Sequence, residues 1–375
     1  MKKLFALLLC LCMVFALVSC NETEGEGEGE GEGEGNGETS DVLKIACLIN
    51  GNLGDLSFFD SANNGMVMLK DELGDAVDIS VIEMSYDNTK WEPALIDAAE
   101  SDYDIIIVGT WQMQEILEKY ADQYPEKTFF LYDSSVVWDN GEFKNVYCIE
   151  YKQNEGSYLA GVLAASLSKT GKIACVGGQD NPVINDFIVG YIQGAKSVNP
   201  DISVMHAFVG NFNDSAKAAD LAAVQFSSGA DVNFNIAGQA GLGVFEAAVN
   251  AGGKDAGLSV IGVDSDQALA FEANEQLDRA EITPTSMLKR VDISLYDAVK
   301  AYMDGTLELG KTVYVGLEDN CVGLVENKYY EELVPAEAKE AVTAAAEAIA
   351  AGEVTVDSAM GMSQEELTAY RDSAN

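Results

Sequence analysis

Histidine is nearly missing from this chain. His206 is the only one in 375 residues. With a single imidazole, set in a strand-like run, the common nucleophilic triads and His-rich metal sites are unavailable, and His206 reads as structural. Positive charge is scarce too: 22 Lys and Arg stand against 62 Asp and Glu, a net charge of −40. That balance argues against nucleic acid and against adsorption to anionic lipid. It does not define an acidic site, because much of it solvates surface. No GxxxxGK[ST] phosphate loop and no CxxC pair occur. Of the seven cysteines, Cys10 and Cys12 lie in the first apolar run, and Cys47, Cys148 and Cys175 lie in apolar strand-like runs. There cysteine behaves as a small hydrophobe, and no disulfide framework is expected. Beyond the N-terminus no second membrane-spanning run appears.

What is present suits a soluble globular protein long enough for two domains, 48% hydrophobic and 22% charged. Residues 1–20 read as a targeting signal: Lys2 and Lys3, an apolar core over 4–18, then Leu17-Val18-Ser19-Cys20. A cysteine directly after small residues resembles a bacterial lipobox, which makes Cys20 the lipidated, mature N-terminus. Ordinary cleavage beside a coincidental cysteine is the alternative. Residues 21–40 carry Glu-Gly repeats over 24–35. Glycine buries nothing and the glutamates repel, so a disordered tether is expected, with a reach of roughly 25 Å.

From Val42 onward, strands and helices alternate. Strand-like runs at 42–49, 77–84, 103–109, 128–133 and 145–151 are followed by a second set at 172–178, 203–209, 231–237 and 259–264. This rhythm predicts an α/β fold with mostly parallel sheets and helices on both faces, in two lobes. The expected first lobe spans 41–152 plus about 270–310. The second spans 153–269 plus about 311–375. A strand-then-helix pattern at 283–302 is expected to return to the first lobe, and 355–356 to form a last short strand.

The chain is organised around the loop 50–65, Asn-Gly-Asn-Leu-Gly-Asp-Leu-Ser-Phe-Phe-Asp-Ser-Ala-Asn-Asn-Gly, between a buried strand and a helix. Open α/β sheets bind ligands at such carboxyl-end loops. Asp55 and Ser57 can cap the helix, and Phe58 and Phe59 stand at the rim. A capped turn with core phenylalanines is the other reading. Similar loops carry Thr110-Trp111, Asp133-Ser134, Phe212-Asn213-Asp214, Asp264-Ser265-Asp266 and 286–290. Their joint occurrence favours a cleft between lobes. Gly238-Gln239-Ala240-Gly241-Leu242-Gly243, with Asp264 21 residues further on, approaches a dinucleotide fingerprint. Its spacing is Gly-x-x-Gly-x-Gly, and an exported protein meets little nicotinamide cofactor. A smaller ligand with vicinal hydroxyls suits the same physics.

Several motifs then match in order. Gly54-Asp55-Leu56-Ser57-Phe58 is similar to the Gly-Asp-Lys-Ser-Phe-Asn motif of the basic membrane protein family, the substrate-binding lipoproteins of ABC transporters. Ser157-Tyr158-Leu159-Ala160-Gly161, Gly177-Gly178, Gly210-Asn211-Phe212-Asn213-Asp214 with Lys217, Gly229-Ala230-Asp231, Gly262-Val263-Asp264-Ser265-Asp266-Gln267 and Thr285-Ser286-Met287-Leu288-Lys289 also resemble family elements. The resemblance implies a periplasmic-binding-protein type I fold: two Rossmann-like lobes, a hinge and an interlobe ligand cleft. In nucleoside-binding members an aromatic from each lobe sandwiches the base. The matching positions are Phe58, with Phe59 beside it, and Phe212. The resemblance assigns Asp264 and Lys289 to ribose hydroxyls, Gly238 to close backbone approach, and Asp133 to a polar contact from the first lobe. Asn50 and Trp111 complete the expected ligand set. Two positions depart from the pattern: Asn50 where the family often has Asp, and Phe59 where it has Asn.

The sequence therefore predicts a lipid-anchored, extracytoplasmic solute-binding protein that hands a nucleoside, a purine one by this reading, to an ABC permease. No enzyme activity, cofactor, metal or nucleic-acid partner is expected, and the chain is expected to be a monomer. A same-fold binder or signalling receptor for another small solute, such as a sugar, is the alternative.

Overall fold

The computed structural model describes residues 42–374. The signal segment, Cys20 and the 21–40 tether lie outside these residues. Two six-stranded sheets form the frame. The first contains β1 (Leu43–Ile49), β2 (Val77–Glu83), β3 (Ile105–Gly109), β4 (Thr128–Tyr132) and β5 (Val146–Tyr151). The second contains β6 (Lys172–Gly177), β7 (Ser203–Phe208), β8 (Val232–Ile236), β9 (Ser259–Asp264) and β10 (Ser286–Lys289). β11 (Lys311–Val315) then adds to the first sheet and β12 (Val322–Leu324) to the second.

The central strands are apolar on both faces because helices cover both. In β1, Ile45, Cys47 and Ile49 join one core, while Ala46 and Leu48 join another on the opposite face. That is why β1 and β3 read as unbroken apolar runs rather than alternating ones. All ladders are parallel except β10 with β12. The orders are β11-β5-β4-β3-β1-β2 and β12-β10-β9-β8-β6-β7. Strand order reverses between β1 and β3 in one sheet and between β6 and β8 in the other. Crevices at such switch points, at the carboxyl ends, are where these sheets bind ligands.

The lobe crossings differ from the sequence expectation in two respects. β10 does not return to the first lobe: it pairs with β9 and β12. The chain crosses after Lys289. The helix Val291–Met303 packs on the helix Phe58–Leu73, where Asp292 N–H donates to Ser61 Oγ at 3.2 Å and a Cβ on Gly65 would fall 2.7 Å from the Asp292 carbonyl. β11 then joins the first sheet beside β5, although 311–315 fell within the stretch expected in the second lobe, and β12 brings the chain back. Residues 355–356 form no strand.

Glycines set one very close helix contact in the second lobe. The helices Gln153–Leu167 and Pro182–Val198 cross so tightly that a Cβ on Gly161 would lie 2.1 Å from the Tyr191 carbonyl oxygen. The same holds for Gly190 at 2.2 Å from Asn154 O and Gly194 at 2.0 Å from Tyr158 O. The four described cysteines are free and buried, and burial pushes the Cys47 and Cys175 thiols up to about 12. Among the described residues no helix is long and apolar enough to cross a membrane.

Candidate functional site

The carboxyl ends of strands from both sheets line one cavity of about 80 Å³. The space is therefore a narrow slot. Its first-lobe wall begins with the loop after β1. Asp55 is buried and accepts the backbone N–H groups of Ser57 (3.0 Å), Phe59 (2.9 Å) and Asp60 (3.1 Å), which caps the helix Phe58–Leu73. Burial pushes its carboxyl up to about 7, against the pull of those donors. The other expected cap fails: Ser57 makes no side-chain cap bond. Its hydroxyl donates instead to Asp264 of the second lobe at 2.6 Å.

Pinned this way, Phe58 and Phe59 both line the slot. The Phe58 ring lies 5.5 Å from Tyr132 and edge-on to Phe59 at 5.3 Å. Phe59 lies over Gly51, where a Cβ would meet its ring at 2.1 Å, and reaches Tyr86 at 6.3 Å. Asn50 is 1% exposed and does not line the slot. It stands behind the wall, at the β1–β3 switch point, and donates to Thr110 Oγ1 at 2.9 Å and Gln112 Oε1 at 3.4 Å. Thr110 and Gln112 do line the slot, as does Trp111, which is 43% exposed.

The polar end of the slot joins the lobes. Asp133, just past β4, receives the Lys289 ammonium at 2.5 Å across the cleft. Lys289 is 1% exposed and lies among three rings, 4.8 Å from Phe187, 5.3 Å from Tyr151 and 5.9 Å from Phe58. Burial pushes Asp264 up to about 6 and Asp133 upward as well, with Lys289 opposing both. Thr110, Asp133 and Asp264 end their strands at φ of 72°, 61° and 65°. These are left-handed conformations in non-glycine residues, and such strain gathers at ligand clamps. Ser265 Oγ donates to Ser57 O at 2.9 Å, a further link between lobes.

The second-lobe wall is built around Phe212. Its ring covers Gly178, where a Cβ would fall 2.2 Å away, and its carbonyl accepts Ala240 N–H at 2.8 Å. Gly238, at φ 53°, lines the slot with Phe212 3.8 Å from its would-be Cβ. The other glycines of the 238–243 stretch serve packing. A Cβ on Gly241 would overlap the Asn235 amide, and one on Gly243 would lie 1.9 Å from Ser215 O. His206 is half-buried on β7, away from the slot, and burial lowers its basicity.

Eight of the nine residues read as ligand-binding thus line one slot, and Asn50 supports it from behind. The sequence reading missed Tyr86, Gln112, Asn181 and Phe187, which also line it. Asn181-Pro182 carries a helix-start signal, and Gln112 sits beside Thr110-Trp111. Tyr86 carries no local signal. Among the described residues no group of side chains could hold a metal ion.

Residues 42–353 match the family model described as ABC transporter substrate-binding protein PnrA-like. The chain is similar to the CD4+ T-cell-stimulating antigen of Listeria monocytogenes, 33% identical over 288 residues, 74% of this chain and 78% of that protein. It is 30% identical over 291 residues to basic membrane protein D of Borreliella burgdorferi, covering 77% and 80% of the two. Among solved structures, an ABC transporter solute-binding protein from Aeropyrum pernix K1 matches with a TM-score of 0.77 at 25% identity, over 88% of this chain and 99% of that one. A Caulobacter myo-inositol binding protein bound to myo-inositol shares the fold, with a TM-score of 0.59 at 14% identity over 80% and 97% of the chains.

Proposed function

The chain belongs to the family of PnrA-like ABC transporter substrate-binding proteins, and from that premise we propose that it captures a purine nucleoside between its lobes for uptake. Proteins of this class bind a small molecule and deliver it to a permease; they are not enzymes. One observation carries the ligand assignment. Phe58 and Phe212, from opposite lobes, flank a narrow slot whose other lining includes Asp133, Asp264 and Lys289. Two rings offer stacking faces to a flat base, each offset stack adding about 0.5–1.5 kcal/mol beyond burial. A buried carboxylate accepts two vicinal hydroxyls, and such charge-assisted bonds are the stronger kind. Lys289 supplies the matching donor.

Calorimetry with a panel of nucleosides, sugars and amino acids tests this. Tight binding of a sugar or amino acid without any nucleoside response defeats the assignment. The competing reading, a sugar or polyol, draws on the same Asp133–Lys289–Asp264 set, which suits any vicinal diol. The two aromatic faces and the narrow slot favour the nucleoside. The N-terminal sequence supports an anchoring arrangement as part of this proposal: Cys20 acylated at the extracytoplasmic face of the cell membrane, with the Glu-Gly segment as a tether between it and a monomeric binding domain. Replacing Cys20 with Ala should release the protein from the membrane fraction. Retention there would overturn the anchor. A signalling role would be favoured by a neighbouring sensor-kinase gene in place of permease and ATPase genes.

A further inference from the structure

Two polar atoms on residues of the slot wall lack a partner, and they come from opposite lobes. Tyr86 Oη and Asn181 Nδ2 are shut off from solvent and unpaired among the described residues. Both residues line the slot. Buried polar groups in folded proteins are normally satisfied, so each such orphan needs an explanation.

The chemistry of both atoms is fixed by their surroundings. Asn181 is the N-cap of the helix Pro182–Val198, and its Oδ1 accepts Ile184 N–H at 3.0 Å. With the oxygen committed to a backbone donor, the other atom is the amide nitrogen, a donor only. Asn185 anchors the same turn, donating from its own amide to Asn181 O at 2.8 Å. Tyr86 sits in a loop tied to the end of β1. Met84 N–H donates to Ile49 O at 2.8 Å, Ser85 N–H to Gly51 O at 3.0 Å, and Trp91 Nε1 to Ser85 O at 2.9 Å. Burial pushes the Tyr86 hydroxyl upward, so it keeps its proton and can donate. A third group follows suit. The Gln112 oxygen takes Asn50 Nδ2, which leaves the Gln112 amide nitrogen as its open end.

We infer that Tyr86 and Asn181 read the ring edge of the bound base, donating to its acceptors from opposite lobes, and that this donor-rich wall selects a 6-oxopurine over a 6-aminopurine nucleoside. The inference deepens the nucleoside reading and rests on it. A 6-oxopurine edge carries two adjacent acceptors, O6 and N7, whereas a 6-aminopurine places a donor beside N7. Donors facing that amino group have nothing to bond. Because the two readers belong to different lobes, both are satisfied together only when a base bridges them.

Calorimetry with inosine and adenosine, beside ligand-free melting curves, tests this on wild type, Tyr86→Phe, Asn181→Ser and Asn181→Asp. Wild type should bind inosine at least about tenfold more tightly than adenosine. Tyr86→Phe and Asn181→Ser should each lose about tenfold for inosine. Their ligand-free melting temperatures should match or exceed wild type, since each change removes an orphan and Ser keeps a capping oxygen. Asn181→Asp keeps the cap, replaces the donor by an acceptor, and should move the preference toward adenosine. Wild-type nucleoside binding that both single variants leave unchanged overturns the ring-edge role and leaves the nucleoside reading standing. A wild-type preference for adenosine overturns the selectivity. No nucleoside response in wild type overturns both readings.

Discussion

Ser57 does not line the slot, yet its replacement should weaken ligand binding. The side chain is fully buried and donates to Asp264 Oδ2 at 2.6 Å, across the boundary between lobes. Ser57→Ala removes that bond but keeps the backbone oxygen that accepts Ser265 Oγ. A hydrogen bond to a charged group contributes about 1.5–3 kcal/mol. The bond exists only when the lobes are together, so its loss is charged to closure. Apparent affinity scales with the fraction of molecules able to close around the ligand. If the whole bond is lost on opening, affinity for the best-binding nucleoside should drop by at most roughly 10- to 150-fold, and by less the more completely the ligand-free wild type is closed. Calorimetry reads that drop, and small-angle X-ray scattering of the ligand-free protein reads the accompanying shift toward a larger radius of gyration. Both changes should appear without a lower melting temperature for either lobe. Unchanged affinity with an unchanged scattering curve would refute the idea that Ser57–Asp264 holds the lobes together.

Three further outcomes are expected. Asp264 titrates near 3.8 in an unfolded chain and is raised to about 6 in the folded one, so the folded state holds the extra proton between those values and stability falls as pH rises through them. Asp55, raised to about 7, extends the same trend. Ligand-free melting should therefore be higher at pH 5 than at pH 7.5, with Asp264→Asn flattening part of the difference. Nucleoside affinity should move the opposite way, weakening below about pH 6 as Asp264 loses its charge; parallel trends would defeat the assignment of Asp264 to the ligand. Gly194→Ala places a Cβ 2.0 Å from Tyr158 O and should cost about 1–3 kcal/mol in denaturant unfolding, with no effect on the slot. Phe212→Ala should weaken nucleoside binding by at least about 2 kcal/mol and leave folding intact, and an unchanged dissociation constant would show that its ring does not stack on the ligand.

Much of the architecture is legible in the sequence because β1, β3, β6 and β9 are buried along most of their length and so read as near-continuous apolar runs. The failures have a common physical origin. β10 followed by its helix has the same local pattern whichever sheet it joins, and only its ladder with β9 decides the matter. β11 is an edge strand with Tyr314 62% exposed, so it lacks the dense apolar signal of its neighbours. Ser57 beside a helix start looks like a cap. What diverts it is a carboxylate 207 residues further on, which no local window contains. The site divides in the same way. Rings and charges in strand-end loops stand out, whereas Asn181 shows only a helix-start signal, because its amide nitrogen becomes an orphan once the oxygen has been committed to the cap.

Asn50 and Phe59, read from the sequence as departures from the motifs it resembles, are linked by these contacts. Asn50 meets Thr110 and Gln112 with its amide nitrogen, which turns the Gln112 oxygen toward Asn50 and its nitrogen away. A carboxylate at position 50 offers only acceptors. It would draw the Gln112 nitrogen toward itself and turn the oxygen outward, replacing a donor on the wall by an acceptor. Phe59 fills the space over Gly51 and packs edge-on to Tyr86, so its bulk fixes the second donor. A smaller polar residue there would leave Tyr86 without that support. If the slot takes a nucleoside as proposed, both departures bear on the same property, the donor character of the wall assigned to the ring edge. On the proposed nucleoside reading, the residues assigned to hydroxyls are therefore left unaltered, while the wall assigned to the base edge differs.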